Sequence, residues 1–256
     1  MRVTLLGTGA AGGVPMLSVG WGACDPAEPR NRRLRSSILV EDGDTRILVD
    51  SGPDVREQLL TADVRHLTAV LYTHAHADHI HGLDELREIN RAMRAPLDIW
   101  GDADTLADLQ HRFAYAFEGI DLATQPIFRP WLIPHELAPS FQVGGLTVRS
   151  FAQDHGWTTS WGFRFGDFAY STDVLSLDEA AFAALAGVRT WVVGCLTDQP
   201  HSTHAHVAKV VDWHGRVGPA RTILTHMGPG LDYRTLCDTL PAGIEPGYDG
   251  MVLDVA

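Results

Sequence analysis

The sequence predicts an α/β fold built as a four-layer αββα sandwich, two sheets stacked face to face with helices outside. Short apolar runs of strand character alternate with segments of helical periodicity along the whole chain, and this order occurs in both halves. Several of the apolar runs also end in histidine or aspartate, which places polar chemistry at strand ends.

The elements follow in order. Residues 3–6 read as a strand, and 37–41 with 46–50 as a hairpin about Asp42-Gly43-Asp44. Residues 54–62 read as a helix and 67–72 as a buried strand. His79 then begins a helix whose Ile80, Leu83, Leu86, Ile89 and Met93 fall on or near one face. A strand at 97–100 and a helix at 104–117 close the first half. In the second half 146–151, 161–165 and 168–171 read as strands, 177–186 as a helix and 190–196 as a buried strand. A helix at 205–213, a strand at 221–224, a helix at 233–240 and a strand at 251–255 complete it. The halves agree in order only. No linker or low-complexity segment interrupts them, so residues 1–256 are expected to form one domain.

Composition narrows the classes of function. A chain of 256 residues with 45% hydrophobic content can bury a large core. Its formal net charge of -12 repels nucleic-acid phosphates, so no nucleic-acid partner is expected and a polyanion would need a local basic or metallic pocket. Three widely spaced cysteines, Cys24, Cys195 and Cys237, give no disulfide framework and suit a reducing cytoplasm. Gly7, Gly9, Gly12 and Gly13 interrupt the apolar opening before a signal peptide could form, and no run approaches the roughly 20 apolar residues of a membrane span. The expected location is cytoplasmic with no membrane partner. No feature fixes the oligomeric state, and a homodimer is carried as the expectation.

The cluster Thr73-His74-Ala75-His76-Ala77-Asp78-His79 decides the chemistry. It places four metal-competent side chains directly after a strand, where imidazole and carboxylate are held beside an open face. Later strands lead to Asp154-His155, Thr172-Asp173 and Thr225-His226. Together His74, His76, Asp78, His79, His155, Asp173 and His226 are enough for two divalent ions with one carboxylate shared, an arrangement that serves hydrolysis of phosphodiesters and amides.

Nearly end to end, the chain resembles the metallo-β-lactamase-fold hydrolases, and among them the phosphoribosyl cyclic phosphodiesterases of bacterial phosphonate breakdown. The residues that carry the resemblance are Gly7-Thr8-Gly9, Gly13-Val14-Pro15, the histidine cluster, Ser171-Thr172-Asp173, Ile223-Leu224-Thr225-His226 and Gly247-Tyr248-Asp249-Gly250-Met251. The resemblance implies that His74, His76 and His155 hold one metal, zinc or manganese, that Asp78, His79 and His226 hold the other, and that Asp173 bridges them. It implies His204 as general acid, acting beside Asp78, and Asp50 as the carboxylate that braces the ligand loop. The expected substrate is a small anionic phosphodiester, 5-phosphoribosyl 1,2-cyclic phosphate, opened to ribose 1,5-bisphosphate.

The chain departs from that family where a cysteine-rich loop and a late histidine form a structural zinc site. Only Cys24 and Pro229 stand there, so no structural zinc is expected. The same loop carries Arg30, Arg32, Arg33 and Arg35. Arg30 and Arg33, with Tyr248, are the candidates to receive substrate, because guanidinium matches phosphate oxygens in a bidentate way. The other reading of that run is a solvated or acid-paired surface. Gly7-Thr8-Gly9-Ala10-Ala11-Gly12 matches a dinucleotide fingerprint, yet Gly13 and Pro15 follow where a helix should start, so a tight loop near the metals is expected. Cys195 reads as a buried hydrophobe and not as the shared ligand of the true zinc β-lactamases. His66, His81, His111, His135, His201, His206 and His214 read as surface or core histidines. Three rivals share the cluster: a tRNA 3′-processing nuclease, a glyoxalase-type thioesterase and an accessory protein of redox-cofactor biosynthesis.

Overall fold

The computed structural model describes residues 1–255. The first sheet holds β1 (Arg2–Gly7), β2 (Ser37–Asp42), β3 (Thr45–Val49), β4 (Ala69–Leu71), β5 (Leu97–Gly101), β6 (Leu132–Glu136) and β14 (Val252–Asp254), in the order β14-β1-β2-β3-β4-β5-β6. The second holds β7 (Ser140–Val143), β8 (Leu146–Asp154), β9 (Thr159–Phe165), β10 (Phe168–Ser171), β11 (Thr190–Gly194), β12 (Arg221–Thr225) and β13 (Ile244–Pro246), in the order β13-β12-β11-β10-β9-β8-β7. Each sheet is antiparallel on one side and parallel on the other, with β3 to β6 and β10 to β13 the parallel sets.

Period-two alternation builds the layers. In β2, Ile38 and Val40 face the other sheet while Leu39 faces outward; in β11, Val192 faces inward while Trp191 and Val193 face outward. The inward residues of both sheets form one core containing Val3, Ile47, Phe163 and Tyr170. The outer face of the first sheet packs on α1 (Val55–Thr61), α3 (Leu86–Met93) and α4 (Ala103–Arg112), and that of the second on α5 (Glu179–Leu185), α6 (Val207–Val217) and α7 (Tyr233–Thr239). The result is the αββα sandwich expected. Among the described residues no helix is long and apolar enough to cross a membrane.

Two parts of the expected order change. β6, β7 and β13 are strands that periodicity does not show, and all three are sheet edges. Pro134 in β6 and Pro246 in β13 are tolerated there because an edge strand leaves one row of N–H groups unpaired. The helix expected to begin at His79 is divided into α2 (Ala77–Ile80) and α3, separated by a 3₁₀ turn at Leu83–Glu85. The break follows from docking on the 51–52 loop: Ser51 N–H donates to His79 O and Gly82 N–H to Ser51 O, both at 2.8 Å. A Cβ on Gly82 would meet Gly52 O at 2.0 Å, and one on Gly52 would meet Asp78 O at 2.0 Å, so only glycines allow this approach.

Candidate dinuclear metal centre

Four strands end at one rim. β4 leads to the loop carrying His74 and His76 and then to α2 with Asp78 and His79; β8 leads to His155, β10 to Asp173 and β12 to His226. Among the described residues five non-glycine positions adopt positive φ, and three of them, Asp50, Asp173 and His226, belong to this rim. Backbone strain of this kind gathers at functional sites, where the surrounding structure over-determines it.

The structure brings all seven predicted ligands together, in two groups whose donor atoms lie within 4.8 Å of one another: His74, His76, His155 and Asp173 in one, Asp78, His79, His226 and Asp173 in the other. Asp173 presents a different oxygen to each group. Its Oδ2 is 3.8 Å from His74 Nε2 and 3.5 Å from His155 Nε2, while its Oδ1 is 3.3 Å from His79 Nε2 and 3.1 Å from His226 Nε2. Asp78 Oδ2 lies 3.2 Å from His79 Nε2 and 3.5 Å from His226 Nε2. His155 Nε2 and His76 Nδ1 approach to 3.3 Å.

A surrounding set of acceptors fixes which nitrogen faces the centre. His79 Nδ1 donates to Asp50 Oδ2 at 2.7 Å, and His155 Nδ1 donates to Thr203 O at 2.8 Å. His74 Nδ1 donates to Thr73 Oγ1 at 2.9 Å, and that hydroxyl donates to Asp50 Oδ2 at 2.8 Å. With the Nδ1 protons committed, the Nε2 lone pairs point at the same space. Asp50 therefore braces the ligand loop twice, through Thr73 and through His79. The Thr203 carbonyl was not legible in the sequence, since a backbone acceptor carries no side-chain signature.

Electrostatics favour cations here. Burial, and then the neighbouring imidazoles, hold His74 and His76 below the ordinary histidine range, so both keep their lone pairs. Burial would lower His79 too, but Asp78, Asp173 and Asp50 override it and raise it well above that range. Burial likewise opposes ionisation of Asp173, yet His226, His79 and His74 keep its carboxyl well below the carboxylate range. Asp78 is held low in the same way by His79 and His226. Buried His74 Nε2 and His79 Nε2 have no hydrogen-bond partner. Unpartnered imidazole nitrogens aimed at a space lined by two carboxylates fit divalent ions.

His204 sits at the wall of this centre, with Nδ1 4.0 Å from Asp173 Oδ2 and its ring stacked on His226 at 4.9 Å. It precedes α6 instead of starting it, in a bend next to Ala205, whose N–H donates to Val174 O and whose carbonyl accepts from Leu196 N–H. Burial, then His226, lowers His204 to about 3. Ala11, from the glycine-rich opening loop, joins His76, Asp78, His155 and His204 around a cavity of about 260 Å³. The loop is thus near the centre as expected.

The three substrate-binding candidates are elsewhere, and each has a physical reason. Arg33 is 1% exposed, and its Nη2 donates to Leu231 O at 2.7 Å and its Nη1 to Gly228 O at 3.3 Å, so the guanidinium is spent tying two loops together. Arg30 pairs with Glu28 at 2.7 Å and lies over the Tyr233 ring. Tyr248 packs against the inter-sheet core, edge-on to Tyr233. None lines the cavity. Cys195 is fully buried behind β11, its thiol pushed up to about 12 by burial, and belongs to neither ligand group.

Comparison with known proteins agrees with this geometry. Residues 45–227 match the β-lactamase superfamily domain. A crystal structure described as a new diphosphatase from the PhnP family superposes with a TM-score of 0.90 at 30% identity, covering 100% of this chain and 98% of that one. An octanoyltransferase of Porphyromonas gingivalis is 30% identical over 98% of this chain and 51% of its own length. A ribonuclease Z of Bradyrhizobium sp. is 32% identical over 59% of this chain and 49% of its own. The chain thus spans about half the length of these two curated relatives. The fold, the superfamily match and the full-length likeness establish that the chain belongs to the β-lactamase superfamily, as a metallo-β-lactamase-fold hydrolase of the PhnP type.

Proposed function

We propose that the chain, working as one hydrolase domain, is a metal-dependent phosphodiesterase acting on a small anionic diester, of the class to which 5-phosphoribosyl 1,2-cyclic phosphate belongs. The observation that carries this reading is Asp173, which offers one oxygen to each of two ligand groups. His74, His76 and His155 would hold one divalent ion, zinc or manganese, and Asp78, His79 and His226 the other. Bound there, the pair supplies positive charge that acidifies water and neutralises phosphoryl oxygens.

The protein's own groups do the rest. Asp50 and the Thr203 carbonyl keep the imidazoles oriented. Asp78, besides its place among the residues that would hold an ion, can accept a hydrogen bond from the attacking water and orient it. His204 is unprotonated in the free site; the negative diester beside it raises its proton affinity, it takes up a proton from solvent, and it passes that proton to the departing oxygen. Arg30 and Arg33 are not among the residues that line this cavity, so the reading is of the diester and not of a terminal phosphate.

The similarity to ribonuclease Z supports phosphodiester chemistry, while the net charge of -12 opposes a tRNA substrate. Octanoyl transfer is not carried over, because the match covers only half of that protein. An accessory, non-catalytic role is the remaining rival, and turnover separates it. The test is metal analysis with assays on a bis-aryl phosphate and on cyclic phosphoribose. About two ions per chain are expected, with both ions and turnover lost in Asp173→Ala. His204→Ala should slow a poor leaving group by about 10²- to 10⁴-fold and spare an aryl one. Full activity in Asp173→Ala would reject the reading.

A further inference from the structure

Of the seven ligands His76 is the exposed one. It approaches His155 Nε2 with its Nδ1, and among the described residues its Nε2 meets no acceptor. His226 Nδ1 is also unpartnered, but that ring is buried and stacked between His79 and His204. His76 is therefore aimed by its backbone, where the other imidazoles are aimed by side-chain bonds and packing.

That backbone is held from outside the site. Thr73 is fixed by Asp50 and by Trp161 N–H, which donates to Thr73 O at 2.9 Å, and α2 opens with His79 N–H on His76 O at 3.0 Å. Between these anchors lies Ala75, whose carbonyl accepts from Arg112 Nη1 at 3.0 Å. Arg112 is the last residue of α4, and its Nη2 donates at 3.1 Å to Asp108 Oδ2, one turn earlier, which gives the guanidinium a fixed direction. The end of α4 meets the ligand segment at two further points: Phe113 lies edge-on to His81, and Tyr115 Oη donates to Asp84 Oδ1 at 2.6 Å. Of the three contacts, Arg112 alone reaches between two ligands. A ligand whose backbone is not held in advance must be ordered by the ion it binds, and that ordering lowers affinity.

We propose that Arg112 is a positioning residue of the metal centre: through the Ala75 carbonyl it sets His76, and with it the affinity of the ion held by His74, His76, His155 and Asp173. It does so from outside the cavity, which it does not line. The proposal rests on the reading of these side chains as metal ligands and is independent of the ester that is hydrolysed.

The experiment titrates the metal-free full chain with zinc against a chromophoric chelator, for wild type, Arg112→Ala, Arg112→Lys, Tyr115→Phe, His76→Ala and the double variant of Arg112→Ala with His76→Ala. Wild type should take up about two ions. In Arg112→Ala one ion should bind about ten-fold more weakly and the other as in wild type. Arg112→Lys keeps a donor for Ala75 O and should recover most of the loss. Tyr115→Phe, which loosens the same helix end without touching the 74–76 segment, should bind both ions as wild type does. In the His76→Ala background, adding Arg112→Ala should change nothing further, because the arginine acts through that ligand. Equal weakening of both ions, an additive loss in the double variant, a loss in Tyr115→Phe as large as in Arg112→Ala, or unchanged affinity in Arg112→Ala would overturn the proposal. Uptake of no ion by wild type would instead overturn the metal-centre reading, and the proposal with it.

Discussion

His79 Nδ1 donates to Asp50 Oδ2 across 2.7 Å, with both side chains fully buried. Burial pushes the Asp50 carboxyl up, against the pull of His79 and of the two bonds from Thr73. The Asp50 oxygens accept from Thr73 N–H, Thr73 Oγ1 and His79 Nδ1, and these bonds keep the ligand loop oriented. Asp50→Asn preserves shape but places an amide where an acceptor must stand. Metal affinity should fall by about 10- to 100-fold, measured by competition with a chelator, while the circular dichroism spectrum stays native. Unaltered affinity would show that Thr73 and packing alone hold the loop.

How much of this was visible in the letters depends on where each residue lies. The central strands read as continuous apolar runs because each faces apolar layers on both sides, so Ile47, Leu48 and Val49 announce themselves. Edge strands β6, β7 and β13 meet only one neighbour, carry Pro134 and Pro246, and leave no periodic mark. The ligands were legible because metal chemistry needs particular side chains at strand ends. Arg33 was misread for the opposite reason: a buried arginine bonded to backbone carbonyls of residues about 200 positions away looks, in sequence, like any other basic residue in a loop.

That difference between Arg33 and Arg30 is testable. Arg33→Met removes the guanidinium bonds to the Gly228 and Leu231 carbonyls, which then keep only Leu231 N–H and the Cys24 thiol as donors, and should destabilise the fold by about 2 to 4 kcal/mol. Arg30→Ala removes a 44% exposed guanidinium from buried Glu28, which keeps Arg234 as its partner, and should destabilise the fold much less than Arg33→Met. Urea denaturation of both variants decides it. Equal effects would mean that the buried guanidinium contributes nothing beyond an ordinary surface charge. Arg30→Ala should also leave turnover of a phosphorylated ester unchanged.

The docking of Gly52 on the ligand helix gives a second contrast. A methyl group at position 52 has no room against Asp78 O, so Gly52→Ala must displace the Asp78 and His79 segment. It should cost at least about 3 kcal/mol and lower metal content in the same protein. Gly43→Ala, in the β2–β3 turn with φ +56° and open space around it, should cost only about 1 kcal/mol and leave metal content intact. Metal stoichiometry and thermal denaturation together test the pair, and loss of metal in Gly43→Ala would refute the assignment of the effect to the Gly52 contact.

Asp249 joins the two ends of the chain, and its titration should be visible in stability. Its Oδ1 accepts from Thr8 N–H and Thr8 Oγ1 and its Oδ2 from Leu34 N–H at 2.6 Å. Burial pushes its carboxyl up to about 6, against the pull of those donors and of Arg33. An unfolded aspartate titrates near 3.9, so the folded state holds this proton more tightly than the unfolded one. The resulting contribution is fully present below about pH 4, fades as pH rises through about 6, and is constant above it. Because the residue is partly exposed, a loss of about 1 to 2 kcal/mol is expected over that window. Asp249→Asn does not titrate and shares every other ionisable group with wild type, so the difference between the two proteins isolates the site. Its amide cannot accept from Leu34, which adds an offset independent of pH. Urea denaturation of both proteins across this range should show wild type losing ground to the variant as pH rises from about 4 to 6. A difference that is flat, or that grows in favour of wild type, would mean that the donors from Thr8 and Leu34 outweigh burial and hold the carboxylate ionised throughout.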